Sequence, residues 1–157
     1  MIIQTLEPDD TEQTVSLVTE SAATVREDFD EGGWEIFLQP NTEEKTRARI
    51  VGNDYLMIGA KQDEKLLGMI AIYQLEKIDQ LFVSPAASGK GIATRLWNHA
   101  RQVVDAIEPE RSNHGYYWVR SSFRAVPVYQ RFGFQSLGEP QVNNGIRFQL
   151  MEKHPEE

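Results

Sequence analysis

The 157-residue chain carries 24 acids against 16 lysines and arginines, a net charge of −8, with 40% hydrophobic residues and no cysteine. That length suits one domain around one core, and the missing cysteines exclude disulfides, thiolate metal sites and cysteine nucleophiles. The acidic balance argues against nucleic acid as a partner, and no apolar run is long enough to span a bilayer.

His99, His114 and His154 are too scattered to read as a ligand set, so no metal is expected. The start Met1 to Glu7 lacks the basic opening and apolar run of a signal peptide, which predicts a cytoplasmic protein. Residues 1 to 60 hold 13 acids and 4 bases, whereas residues 61 to 157 hold 11 acids and 12 bases. Either the first third is a solvated acidic surface, or it faces a cationic partner while the remainder faces an anionic one.

Ile2 to Leu6 reads as a first strand. Asp10 and Gln13 have capping-box spacing, and Val15, Val18, Ala22 and Val25 recur at helical spacing up to Asp28. The mixed stretch Phe29 to Leu38 predicts a mobile rim rather than a core element. Pro40 to Glu44 starts another helix, with Asn41 as its cap and Glu44 closing the box. Tyr55–Lys61 and Leu66–Tyr73 are apolar runs joined by a polar turn, which predicts an antiparallel hairpin, and Lys77 to Val83 adds a third strand. A helix follows from Ile92 to Ile107, with Ile92, Leu96, Ala100, Val103 and Ile107 on one face, and Pro109 ends it. Tyr116 to Arg120 is the next strand. Its side chains alternate in direction, so only one face of Tyr116, Tyr117 and Trp118 can see any given ligand. A short helix at Val128–Phe132 ends at Gly133, and Phe134–Leu137 with Ile146–Met151 forms a closing hairpin turned by Asn143-Asn144-Gly145. The chain reads as a single α+β domain over 1–157, frayed from about residue 152, with helices on both faces of a mostly antiparallel sheet of about six or seven strands.

The stretch Leu81 to Leu96 is strand, loop, helix, with two glycines just ahead of the helix. Unpartnered N–H groups and the helix dipole make such a junction an anion site, and glycine lets a ligand approach the backbone. A P-loop would need a glycine where Ser84 stands and a serine or threonine where Gly91 stands. A dinucleotide fingerprint fits Gly89 and Gly91 but meets Thr94 at its third glycine, beside a hairpin rather than a βαβ unit.

Ser88-Gly89-Lys90-Gly91-Ile92-Ala93 resembles the [Gln/Arg]-x-x-Gly-x-[Gly/Ala] loop of the GNAT superfamily of acetyl-CoA-dependent N-acetyltransferases, and Ser122 through Tyr129 to Gly133-Phe134 resembles the family's later motif. The resemblance spans roughly residues 55 to 137. It implies a sheet splayed between strands 4 and 5, with acetyl-CoA held by Leu81, Phe82 and Val83 on the splayed strand, by Ser88 to Thr94 at the loop, and by Ser122 and Tyr129. Ser88 replaces the usual Gln or Arg, a loss that Lys90 or Arg95 would offset.

Acetyl transfer to an amine needs a base, an oxyanion donor and a proton for the departing thiolate. The resemblance assigns the last to Tyr129, a phenol of ordinary pKa about 10, and the oxyanion donor to the Val83 N–H. Glu76 and Asp79 are candidate bases, and Trp34 and Glu35 are candidate acceptor-binding residues. The implied activity is direct attack of a primary amine, either a small cationic molecule or a peptide amine, by a monomer or homodimer. The alternative is a non-catalytic acyl-CoA sensor on the same fold.

Overall fold

The structure is a computed structural model and describes residues 1–156. Eight strands form one sheet: β1 (Ile2–Thr5), β2 (Tyr55–Gln62), β3 (Lys65–Tyr73), β4 (Lys77–Val83), β5 (Tyr117–Ser121), β6 (Gln135–Ser136), β7 (Gln141–Asn143) and β8 (Ile146–Lys153). The spatial order is β1-β2-β3-β4-β5-β8-β6, with β7 also on β8. Every pairing is antiparallel except β4 with β5. The mixed α+β architecture read from the sequence is present, with one strand more than its upper count.

Helices cover both faces. α1 (Thr11–Ala22), α2 (Glu31–Leu38) and α3 (Glu43–Val51) lie on one, where Leu17, Val18 and Phe37 pack with Met57, Met69, Ala71 and Phe82. α4 (Ile92–Ile107) and α5 (Val126–Arg131) lie on the other, over Ile58, Ile70, Ile72, Ile78 and Val119. Trp97 of α4, 1% exposed, anchors that core, its ring centroid 4.9 Å from Tyr117 and 5.7 Å from Phe132. A buried aromatic set of this size contributes both area and edge-to-face contacts.

Several local expectations are corrected. Asp10 does not cap α1 with its side chain. One of its oxygens accepts from the Glu7 N–H and the other pairs with Lys61, while Gln13 reaches across to Glu64 and Leu66. α1 stops at Ala22 and gives way to a 3₁₀ stretch, Ala23–Asp28, within which the chain kinks at Val25 (φ −119°). Phe29 to Leu38, expected as a mobile rim, contains a helix, α2, capped by Asp30, which accepts from Gly33 N at 2.6 Å. Phe29, Trp34 and Phe37 form an aromatic cluster there, and Phe37 in turn meets Phe82. Thr42, not Asn41, caps α3. At the other end β8 continues through Glu152 to a buried Lys153, inside the expected fray, while Glu157 lies outside the described residues.

The site is positioned by a fault in β4. Ile78 pairs with Ile72 and Gln80 with Ala71, so Asp79 is an extra residue with no partner on β3, a β-bulge. The parallel pairing of β4 with β5 ends at the same place: Lys77 pairs with Trp118 and Ile78 with Val119, and nothing beyond. A bulge bends its strand and sharpens its twist, and here it turns the second half of β4 away from β5. The sheet opens into a V whose walls are Gln80–Val83 and Arg120–Ser122.

The β2–β3 turn offers a test of local strain. Asp63 (φ 53°) and Glu64 (φ 65°) both sit in the left-handed region that a two-residue hairpin turn requires. Glu64→Gly is expected to raise stability by about 0.5–1 kcal/mol, the relief of the left-handed conformation less the entropy of an unfolded glycine. Urea denaturation checks it, and a lowered midpoint contradicts it.

Candidate active site

The V is continuous with a cleft of about 770 Å³ that runs through the sheet from α4 and α5 to α1 and α2. On the α4 side, Ser84 to Gly91 connect β4 to the helix. Gly89 (φ 79°) and Gly91 (φ 76°) hold left-handed conformations, and a Cβ on either would point into open space. Gly91 is the cap residue of α4 and no side chain caps the helix. Its first-turn N–H groups are therefore available to an anion entering the cleft. All coenzyme-side residues named from the sequence line the cleft except Lys90. Arg95 does not line it either.

The strand edge facing the gap follows from hydrogen-bond parity. Ser84 N donates to Leu67 O at 2.8 Å, which makes Gly68 and Val83 a non-hydrogen-bonded pair. The Val83 N–H then points away from β3 and into the gap, and Leu81, two residues earlier, does the same. The Val83 carbonyl accepts from Ser21 Oγ at 3.2 Å, tying α1 to the same strand end. This pair of outward N–H groups is a ready partner for an extended amide-bearing chain.

Tyr129 of α5 lines the cleft from the far wall, 4% exposed, with Phe132 and Phe134 packed edge-on against its ring. Burial pushes its phenol well above the usual value, so it stays protonated far into the alkaline range. Ser122 accepts from Ala125 N at 3.3 Å and shapes the turn into α5.

The two candidate bases separate. Asp79 lines the cleft, with Lys77 Nζ 3.2 Å from its carboxylate. Glu76 lies in a smaller adjoining pocket of about 250 Å³, where it accepts from Asn113 Nδ2 and, at 3.3 Å, from Trp118 Nε1. Trp34 and Glu35 of α2 are not brought to the cleft wall, whereas their neighbours Ile36 and Phe37 are. Trp34 instead holds the Arg26 guanidinium over its ring at 4.9 Å.

Sequence reasoning missed two polar groups here. Asp28 is buried, lines the cleft, and accepts from Phe123 N at 3.2 Å across it. Gln80 donates to Asn41 at 2.8 Å, and its own carbonyl oxygen is buried without a partner. It also missed the lining charge. Asp28 and Asp79 are the carboxylates on the cleft wall, against Arg120, Arg124, Arg131 and Arg147. Of the acids in the first third, only Asp28 reaches it. The other acids of that segment lie off the cleft wall.

Comparisons with known proteins match this geometry. The family model described as acetyltransferase (GNAT) domain matches residues 22–155. Similar solved structures include a GCN5-related N-acetyltransferase from Rhodopseudomonas palustris, at TM-score 0.80 and 20% identity over 98% of this chain and 94% of that one. The PaiA N-acetyltransferase of Thermoplasma acidophilum, solved with coenzyme A, gives TM-score 0.80 and 20% identity over 98% and 99%. The aminoglycoside 6'-N-acetyltransferase of Enterococcus faecium gives 0.66 and 16% over 98% and 97%. No curated protein matches the chain. At these identities the structures speak for the fold; the family match, over most of the chain, speaks for descent. The chain belongs to the GNAT acetyltransferase family.

Proposed function

We propose that the chain moves an acetyl group from acetyl-CoA to a primary amine by direct attack, both substrates being bound together. The observation that carries this reading is the outward Val83 N–H, set in the gap between the uncapped start of α4 and the protonated Tyr129. The α4 amides and the two loop glycines hold the pyrophosphate, and Leu81 and Val83 pair with the pantetheine arm. Bound there, acetyl-CoA supplies an activated thioester.

The attacking nitrogen forms a bond to the acetyl carbon as the carbon–sulfur bond breaks. Val83 N–H donates to the carbonyl oxygen as charge gathers on it. Asp79, directly or through a water, takes the proton that the amine loses, and Tyr129 gives its proton to the departing thiolate. Asp79 is preferred to Glu76 because it lines the cleft while both oxygens of Glu76 are engaged outside it. The absence of cysteine is consistent with transfer that forms no thioester on the enzyme. We read the chain as one catalytic unit of the cytoplasm, working as a monomer or homodimer. No helix among the described residues is long and apolar enough to cross a membrane.

Tyr129→Phe is expected to lower kcat about a hundredfold while the dissociation constant of acetyl-CoA, read by calorimetry, stays within about twofold. Because burial raises the pKa of Tyr129, wild-type kcat should show no fall near pH 10 that the Phe variant lacks. Such a fall would return Tyr129 to an ordinary phenol pKa and overturn the effect of burial, whereas unchanged turnover in the variant removes Tyr129 from the acid role. Gly91→Val places a β-branched residue at φ 76° and a side chain in the anion path, and should weaken coenzyme binding by about tenfold or more. Undiminished binding overturns the loop assignment. Binding of acetyl-CoA without thiol release on any amine makes the protein a sensor instead.

A further inference from the structure

The four cleft arginines are not equivalent. On β5, Tyr117, Val119 and Ser121 are buried; the first two belong to the core beneath α4. Trp118 and Arg120 therefore project from the opposite face of the sheet, the side of α1 and α2. Arg124 and Arg131 flank and end α5, and Arg147 shares strand parity with Met151, which packs in the α4 core. The Arg147 guanidinium, however, is turned to the Glu27 carbonyl, 3.5 Å away, and to the Phe123 ring. Of the four, only Arg120 also lines the adjoining pocket.

Its guanidinium is held between two rings, 5.8 Å from the Trp118 centroid and 5.4 Å from that of Phe148. Such stacking keeps the planar donor fork oriented without consuming its N–H groups. Among the described residues no carboxylate lies within 4.0 Å of it. Arg120 and Phe148 line both the cleft and the adjoining 250 Å³ pocket, so they form the threshold between the two. Beyond them the pocket is walled mainly by Trp118, Leu137 and Leu150, with Glu76 held by its two hydrogen bonds.

We propose that Arg120 binds a carboxylate of the acceptor, so that the amine acetylated here belongs to an amino acid-like molecule whose apolar group enters the Trp118–Phe148 pocket. This rests on the acetyltransferase reading above and reverses the cationic acceptor suggested by the acidic first third. An arginine fork matches a carboxylate in two parallel hydrogen bonds, and a threshold cation would repel a polycation. The pocket volume suits a side chain of amino-acid size rather than a folded partner.

The test pairs methionine and phenylalanine with their carboxamides, and adds spermidine and kanamycin as polycations. Turnover is followed by thiol release, and binding by calorimetry in the presence of coenzyme A. Acid and amide differ in amine basicity, so the readout is how their ratio changes between wild type and Arg120→Gln. The acid's KM and dissociation constant should rise about tenfold or more relative to the amide's, with Arg120→Lys recovering part of the preference. Coenzyme affinity should be unchanged in both variants. An acid-to-amide ratio that Arg120→Gln leaves unaltered overturns the proposal, as does tighter binding of spermidine or kanamycin than of either acid. An acid that binds through Arg120 but is never acetylated supports the carboxylate site and overturns the transferase reading, so the two failures are distinct.

Discussion

Beyond Ile78 and Val119 two neighbouring strands of one sheet stop bonding to each other, and the site is built in the space this leaves. Backbone N–H and C=O groups in a sheet interior are ordinarily paired. Here the outward groups of Leu81 and Val83 are left on a face where the chain itself offers no partner strand. The same divergence brings the start of α4 to one side of the gap, because eight residues separate the end of β4 from the helix, and α5 to the other, because it begins shortly after β5 ends. An uncapped helix start, a pair of strand donors and a buried phenol thus converge without any one of them being displaced from its own packing.

The far side of the V is framed by chain segments distant in sequence. Phe29 forms a bridge with Ile146, and Asp30 N donates to Gly145 O at 2.9 Å, joining the lead-in of α2 to the tip of the β7–β8 hairpin. Gly33 and Gly145 permit the approach, since a Cβ on Gly33 would strike the Gly145 carbonyl, and Gly145 itself holds φ 76°. The α4-loop side of the cleft and the α1–α2 side differ in construction. One is mostly main chain, whose chemistry is the same whatever the residues. The other is side chains, Asp28, Gln80 and Arg120 among them.

That difference explains how much of the molecule the sequence disclosed. The hairpin of β2 and β3, the length of α4, and the loop of Gly89 and Gly91 are local patterns in which periodicity and glycine placement carry the information. Thr42 rather than Asn41 caps α3 because Asn41 is drawn to Gln80, a partner 39 residues away that no local pattern announces. Phe29 to Leu38 looked unfit for a core because acids and a glycine pair are mixed with its aromatics, yet three rings packing on one another and on Phe82 suffice to seat a helix. The charge of the cleft lining was illegible for a similar reason. Net charge along the chain says nothing about which residues face inward, and of the acidic first third only Asp28 reaches the cleft wall.

Asp79 shows what the opening in the sheet asks of the fold. Without it β4 would be regular against β3, Ile78 opposite Ile72 and Gln80 opposite Ala71, with the remaining register intact. Leu81 and Val83 would still point toward α4, and Gln80 and Phe82 toward α2. Asp79 itself belongs to neither core. A chain composed for stability alone would omit this residue and let β4 close on β5 along its whole length. The strand is one residue longer than its packing can use, and the sheet stays open because of that surplus.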